Sequence, residues 1–150
     1  MSVLGVLQPE SGNLPLFLHV LGAVVLFGAT ATVAVAAFAG RRRPDHGPLL
    51  SRIAFWTFLL GILPSWILMR VAAEWILDKE FPKESPGWVD VGFIVSEGGG
   101  LFLLVVGILA GLWTRRRSST GLPLAVGLLA SVVLVALGVA SFAMSGKPDW

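Results

Sequence analysis

The chain contains no cysteine, which excludes a disulfide, a thiolate metal site and a cysteine nucleophile, and leaves the redox compartment unread. Charge is also scarce. Only 13% of residues are charged against 55% hydrophobic, and the mean hydropathy is +0.84, far from the quarter or so of charged residues usual in soluble domains. A Ser/His/Asp set, an HExxH helix, a phosphate-binding loop and a dinucleotide fingerprint are all missing, so hydrolytic or nucleotide chemistry of the soluble kinds has no support. The basic n-region of a secretory signal is missing from MSVLGVLQPESGN as well; Arg41–Arg43 follow the first apolar run instead of preceding it. We therefore expect no cleaved leader.

What the chain does have is long apolar runs. Each of four stretches, 14–39, 53–77, 89–113 and 121–144, has the roughly 20 residues needed to cross about 30 Å of hydrocarbon. The expected fold is an all-α, integral membrane, four-helix up-down bundle in a single transmembrane domain spanning all 150 residues. Its first partner is the lipid bilayer, and a second copy of the chain or a larger membrane complex would be the next. The calculated pI of 9.7 would suggest nucleic acid in a soluble protein; here bilayer orientation explains it, and no nucleic-acid partner is expected. Seven of the eleven Lys/Arg lie in Arg41–Arg52 and Arg115–Arg117. By the positive-inside rule both arginine loops are cytoplasmic, so both termini and the Asp78–Asp90 loop lie on the outer side. Trp56 and Trp113 then fall at the inner interface, and Trp75 and Trp88 at the outer one.

The polar, turn-rich stretch Arg41–Pro48 separates the first two spans, and DKEFPKESPGWVD, Asp78–Asp90, separates the second and third. Within the second span Pro64 leaves the carbonyl of Leu60 without its usual donor, which predicts a bend near Gly61–Ser65. Small residues fall in stripes at helical spacing: Gly22, Ala23, Thr30 and Ala37 with His19; Gly100, Gly107 and Gly111 with Glu97; Gly127, Ser131, Gly138 and Ser141 in the last span. Such stripes mark faces where helices approach closely.

The second span carries Arg70 and Glu74 one turn apart, on the same face as Trp66. A charge inside a membrane span costs about 2.5–3.5 kcal/mol on insertion scales, so such residues face a protein interior or a watery cavity. Counting from the helix ends places His19, Arg70 and Glu97 about 9–12 Å inside the outer boundary, with Glu74 a turn shallower. His19, Arg70, Glu74 and Glu97 are thus expected to form one polar layer. Two readings stand. In one, Arg70–Glu97 is a structural clamp, whose loss would leave an uncompensated charge costing about 3–5 kcal/mol. In the other, the layer lines an outward-facing cavity that binds a polar or anionic ligand, or passes a proton between Glu97 and His19. His19 itself reads either as a functional group or as a histidine bonded to a backbone carbonyl. Bis-histidine haem is incompatible with His46 in the cytoplasmic loop; haem b through His19 alone, or shared between two copies, is compatible. Copper(I) would prefer thioether and imidazole, and Met69, Met144 and His19 fall on the outer side, although methionine in an apolar helix usually serves packing. No metal site and no catalytic residue is assigned.

LPLFLHVLGAVVLFGATA, Leu14–Ala31, resembles the opening helix of the copper-resistance-protein-D-like group of small four-span bacterial membrane proteins, which includes a haem-associated protoporphyrinogen oxidase. LPSWILMRVAAEWI, Leu63–Ile76, GFIVSEGG, Gly92–Gly99, and AMSGKPD, Ala143–Asp149, are similar to uncharacterised actinobacterial members of that group. The resemblance implies a multi-pass protein of a bacterial plasma membrane. It also implies His19 as the residue corresponding to a helix-one haem ligand, with Arg70 near the position of the second. Arginine is a poor iron ligand, so the sequence departs from the haem-binding pattern there. A non-enzymatic ligand-binding or transport-related component, or a complex subunit, is the leading expectation. A haem-linked redox enzyme and a purely structural subunit are the alternatives.

Overall fold

The computed structural model describes residues 10–80, 87–116 and 121–146. The described residues are helical throughout apart from single connecting positions: α1 (Glu10–Arg42), a 3-10 turn (Pro44–His46), α2 (Gly47–Thr57), a π-helical turn (Phe58–Ile62), α3 (Leu63–Glu80), α4 (Gly87–Arg115) and α5 (Gly121–Gly146). Because α2, the π turn and α3 run on without a break, they make one span. Four segments, Leu14–Arg42, Pro44–Asp78, Gly92–Arg115 and Gly121–Phe142, are long and apolar enough to cross a membrane. Only 28% to 39% of their most apolar windows is buried. The rest, including Val35, Leu60, Ile94, Ile108 and Phe142, faces outward, which water would not tolerate over so large an area and lipid does.

The helices reach further than the apolar runs. Arg41 and Arg42 continue α1, and α2 begins at Gly47 with Pro48 in its first turn, where a missing N–H costs nothing because that donor has no intrahelical partner. The expected Arg41–Pro48 loop thereby shrinks to Arg43 and the 3-10 turn. Asp78–Glu80 likewise extend α3, and Gly87–Asp90 open α4. The remainder of that loop, 81–86, lies outside the described residues, as do 1–9, 117–120 and 147–150.

The spans form an antiparallel ring: α1 packs against the second span and α5, and α4 packs against α5 and α2. Leu26, Val33, Ala37, Val106, Ala110, Val126, Ala130 and Val133 fill the centre. Glycines carry large rings. A Cβ on Gly107 would lie 2.3 Å from Phe58, on Gly40 2.5 Å from Trp113, on Gly100 2.7 Å from Trp66 and on Gly127 2.9 Å from Phe38. Trp113 is accordingly buried at 5% exposure, a packing residue instead of the interfacial anchor its position suggests; Trp56 and Trp75 are exposed. The stripe Glu97, Gly100, Gly107, Gly111 does face the second span, each glycine against one of its rings. On α5 the expected stripe holds only in its first half. Gly127 and Ser131 turn inward, whereas Gly138 is exposed with nothing within 4 Å of a Cβ, because Val133, Leu137 and Ala140 carry the buried face there.

The irregularity in the second span lies at Phe58–Ile62, where the N–H of Leu63 bonds the carbonyl of Phe58 five residues back. It overlaps the expected bend only at Gly61–Ile62. A proline ring collides with the carbonyl four residues earlier, here that of Leu60, so the helix relaxes on the N-terminal side of Pro64. Ser65 Oγ donates to the Gly61 and Ile62 carbonyls at 2.6 and 3.0 Å, covering part of the loosened turn.

Candidate functional site

The site starts from a close approach of two backbones. A Cβ on Gly22 would stand 2.9 Å from Met69 N and 3.0 Å from Ser65 O, so glycine lets α1 lie directly on α3. One turn before Gly22, His19 then comes within reach of α3: its Nδ1 is 3.0 Å from the carbonyl oxygen of Met69. A carbonyl only accepts, so Nδ1 carries the proton and donates, which leaves Nε2 of the neutral ring with its lone pair.

Arg70, the next residue along, turns toward α4. Its guanidinium donates to Glu74 one turn further on and to Glu97 at 3.0 Å, and its Cζ lies 4.5 Å from the centroid of the Phe93 ring. Phe93 and Glu97 are themselves four apart on α4, as Arg70 and Glu74 are on α3, so two one-turn pairs on facing helices build the cluster. The Arg70 side chain is 21% exposed, those of Glu74 and Glu97 50% and 65%. The guanidinium is therefore inside and the carboxylates hold it from the outer surface. One positive group faces two negative ones, so the charge that sequence reasoning offered to an anionic ligand is already committed to the protein's own acids.

Just beneath, Trp66 Nε1 donates to the carbonyl of Ser96 at 3.0 Å. Ser96 Oγ is buried and has no hydrogen-bond partner. Other helical hydroxyls here close onto their own backbone: Thr30 on Leu26, Thr32 on Gly28, Ser131 on Gly127. Ser96 does not.

Along this half of the bundle the α3 and α4 backbones stand apart and only side chains span the gap. Behind the bridges lies a cavity of about 300 Å³ walled by all four spans, with Phe27, Phe93 and Leu137 among its apolar lining and His19, Arg70 and Ser96 as polar contributors. It sits at the end opposite the arginine loops.

The expected layer is thus divided. Arg70, Glu74 and Glu97 come together; His19 lies at the same level but bonds to the Met69 carbonyl, and no hydrogen bond or ion pair joins it to Glu97. His19 and Arg70 line the cavity, whereas neither glutamate is among its lining residues. Sequence reasoning missed Ser96 and Phe93. The available signal for the first was a serine inside an apolar helix directly before Glu97, and for the second an aromatic one turn before it. Among the described residues no group of three His, Asp or Glu side chains is placed to hold a metal ion. His46, in the 3-10 turn, sits at the far end of the bundle beside Asp45. Comparisons with protein-family models, with curated proteins and with solved structures find no match to this chain.

Proposed function

We propose that this chain is a multi-pass protein of a bacterial plasma membrane that binds a small molecule in the cavity between its four spans, without catalysing a reaction. It would act as a ligand-binding or transport-related component of the membrane. The observation that carries this reading is the cavity itself: about 300 Å³ of space, mostly apolar, with an imidazole, a guanidinium and a partnerless hydroxyl in its wall. Ligand sites commonly combine apolar walls with a few placed polar groups. A bundle whose polar layer served only as a clamp would close around Arg70 instead of leaving room beside it. The exposed residues Arg41, Arg42, Arg43, Arg52, Arg115 and Arg116 at the other end support placing that end in the cytoplasm and the cavity toward the outer face.

The direct test is native mass spectrometry of the full chain extracted in mild detergent, compared with a variant carrying Ala73→Leu in the cavity wall. A bound small molecule in the natural chain that is lost in the variant is expected. Identical, ligand-free spectra from both would refute the reading.

A second reading, haem held by His19, draws on one observation: the Nδ1–H to carbonyl bond of His19 is the arrangement that orients a histidine for ligation through Nε2. The residues fit it only in part, since they supply one axial ligand and Arg70 is engaged by two carboxylates. Haem would bring redox chemistry; the chain would contribute one nitrogen and an apolar wall. A Soret band after haem supplementation that disappears in His19→Ala would establish it.

A further inference from the structure

We infer that the cavity takes an uncharged, lipid-soluble molecule bearing an oxygen acceptor at its head, such as a long-chain alcohol or ester, and that this molecule enters sideways from the bilayer between α1 and α5. The inference rests on the ligand-binding reading above and specifies its ligand and route.

The route follows from residues that belong to two surfaces at once. Val24 and Phe27 line the cavity and are also 65% and 47% exposed on the outside of the bundle, so the wall is open where they stand. Val24 is two positions from Gly22, about 200° round the helix. Since Gly22 is sealed against α3, the opening lies away from α3, on the side where α5 contributes Leu137, Ala140 and Ser141. Val24 is also ten residues into the span that begins at Leu14, about 15 Å along the axis. At that depth the surroundings are hydrocarbon, and what passes must dissolve in it.

The head follows from counting donors. A guanidinium has five N–H groups; Arg70 gives one from each terminal nitrogen to a glutamate, and three remain. Ser96 Oγ has no partner, His19 Nδ1 is occupied with Met69, and the His19 Nε2 lone pair is one acceptor set against these donors. What the pocket lacks is therefore mainly acceptors. A carboxylate would be a third anion around a guanidinium already flanked by two, and an ammonium would meet that guanidinium with no glutamate or aspartate among the lining residues to receive it. Either charge, brought to hydrocarbon depth, would also bear the desolvation penalty. An uncharged oxygen accepts from Arg70 without these costs, and the alkyl chain can trail through the mouth into the lipid.

The experiment uses the full chain in nanodiscs with three photoreactive diazirine probes of equal chain length: a fatty alcohol, a fatty acid and a fatty amine. Crosslinks are mapped by peptide mass spectrometry. The alcohol is expected to label Val24–Phe27 and Leu137–Ser141 about tenfold more than the acid or the amine, the size of one charge-assisted contact. Val24→Trp, checked by helicity and thermal midpoint to fold like the natural chain, should block the mouth and cut labelling of Leu137–Ser141 to the level of the acid. Equal labelling by acid and alcohol overturns the choice of head but leaves a binding cavity. Undiminished labelling of Leu137–Ser141 in Val24→Trp overturns the sideways route. If no probe reaches these segments and the natural chain carries no ligand in native mass spectra, the ligand-binding reading itself falls.

Discussion

At the arginine end of the bundle, Phe55, Phe58, Phe38 and Trp113 lie on Gly111, Gly107, Gly127 and Gly40, ring on bare backbone, and the buried Ser51 hydroxyl turns back to the Pro48 carbonyl of its own helix. At the other end the second and third spans meet through Trp66 bonding Ser96 and Arg70 bonding Glu97, and a cavity lies behind them. Membrane helices gain nothing from hiding apolar surface, because lipid is as apolar as leucine, so association depends on close van der Waals packing and interhelical hydrogen bonds. The arginine end relies on the first; the other end adds the second to the close approaches at Gly22 and Gly100. Beside the rings of Phe55 and Phe58 the free space is a groove shared by the second and third spans only; behind the hydrogen-bonded bridges it is a cavity walled by all four spans. The contrast fits the proposed division, with glycine packing holding the arginine end together and the cavity at the other end free to take a ligand.

Substitutions at the two ends should grade accordingly. Gly107→Leu should do the most harm, because Phe58 ring carbons stand 2.3 Å from the new Cβ and overpacking without room to yield costs about 3 kcal/mol. Loss of monodisperse protein in detergent is the readout, with partial recovery when Phe58→Ala is added. Arg70→Ala should come next. It leaves Glu74 and Glu97 without their cation, at a cost of about 1–3 kcal/mol, below the range for a fully buried pair because both acids are half or more exposed. A larger drop in thermal midpoint than in Glu74→Gln is expected; an unchanged midpoint would show that the cluster contributes nothing to folding. Trp66→Phe keeps a ring over Gly100 and removes only the indole donor to Ser96, so about 1 kcal/mol should be lost, read in the same thermal assay. Thr32→Val stands at the bottom of the series. Its hydroxyl merely returns to the Gly28 carbonyl on an exposed face, and no measurable shift is expected.

Much of this was legible in the residues. Four apolar runs long enough to span gave the architecture, and the period of Glu97, Gly100, Gly107 and Gly111 identified the face that meets the second span. The helix ends were not legible, because Arg41, Arg42 and Asp78–Glu80 are polar yet helix-compatible, and hydropathy records the hydrocarbon and not the helix. Trp113 was misplaced because a tryptophan near an arginine loop looks the same whether it anchors at an interface or fills the void over a glycine from another span. Within the site, depth arithmetic brought Arg70 to Glu97, since both partners are side chains. The partner of His19 is a main-chain oxygen, which no residue type announces, and Ser96 acquires meaning only once its hydroxyl is seen to lack the i−4 bond its counterparts make.

The π turn at Phe58–Ile62 sets the azimuth of everything beyond it. Phe58 and Trp66 are eight residues apart, which on an uninterrupted α-helix would aim them about 80° apart; winding one additional residue into the turn reduces the offset to about 20°. That correction is what lets Phe55, Phe58, Trp66 and Arg70 address α4 as one row. A chain of full length wound here as a plain α-helix would still cross the bilayer, but its arginine would swing toward lipid, away from Glu97; removing a single residue between Phe58 and Ile62 as well would bring it back, because seven α-helical residues turn through the same angle of about 700°.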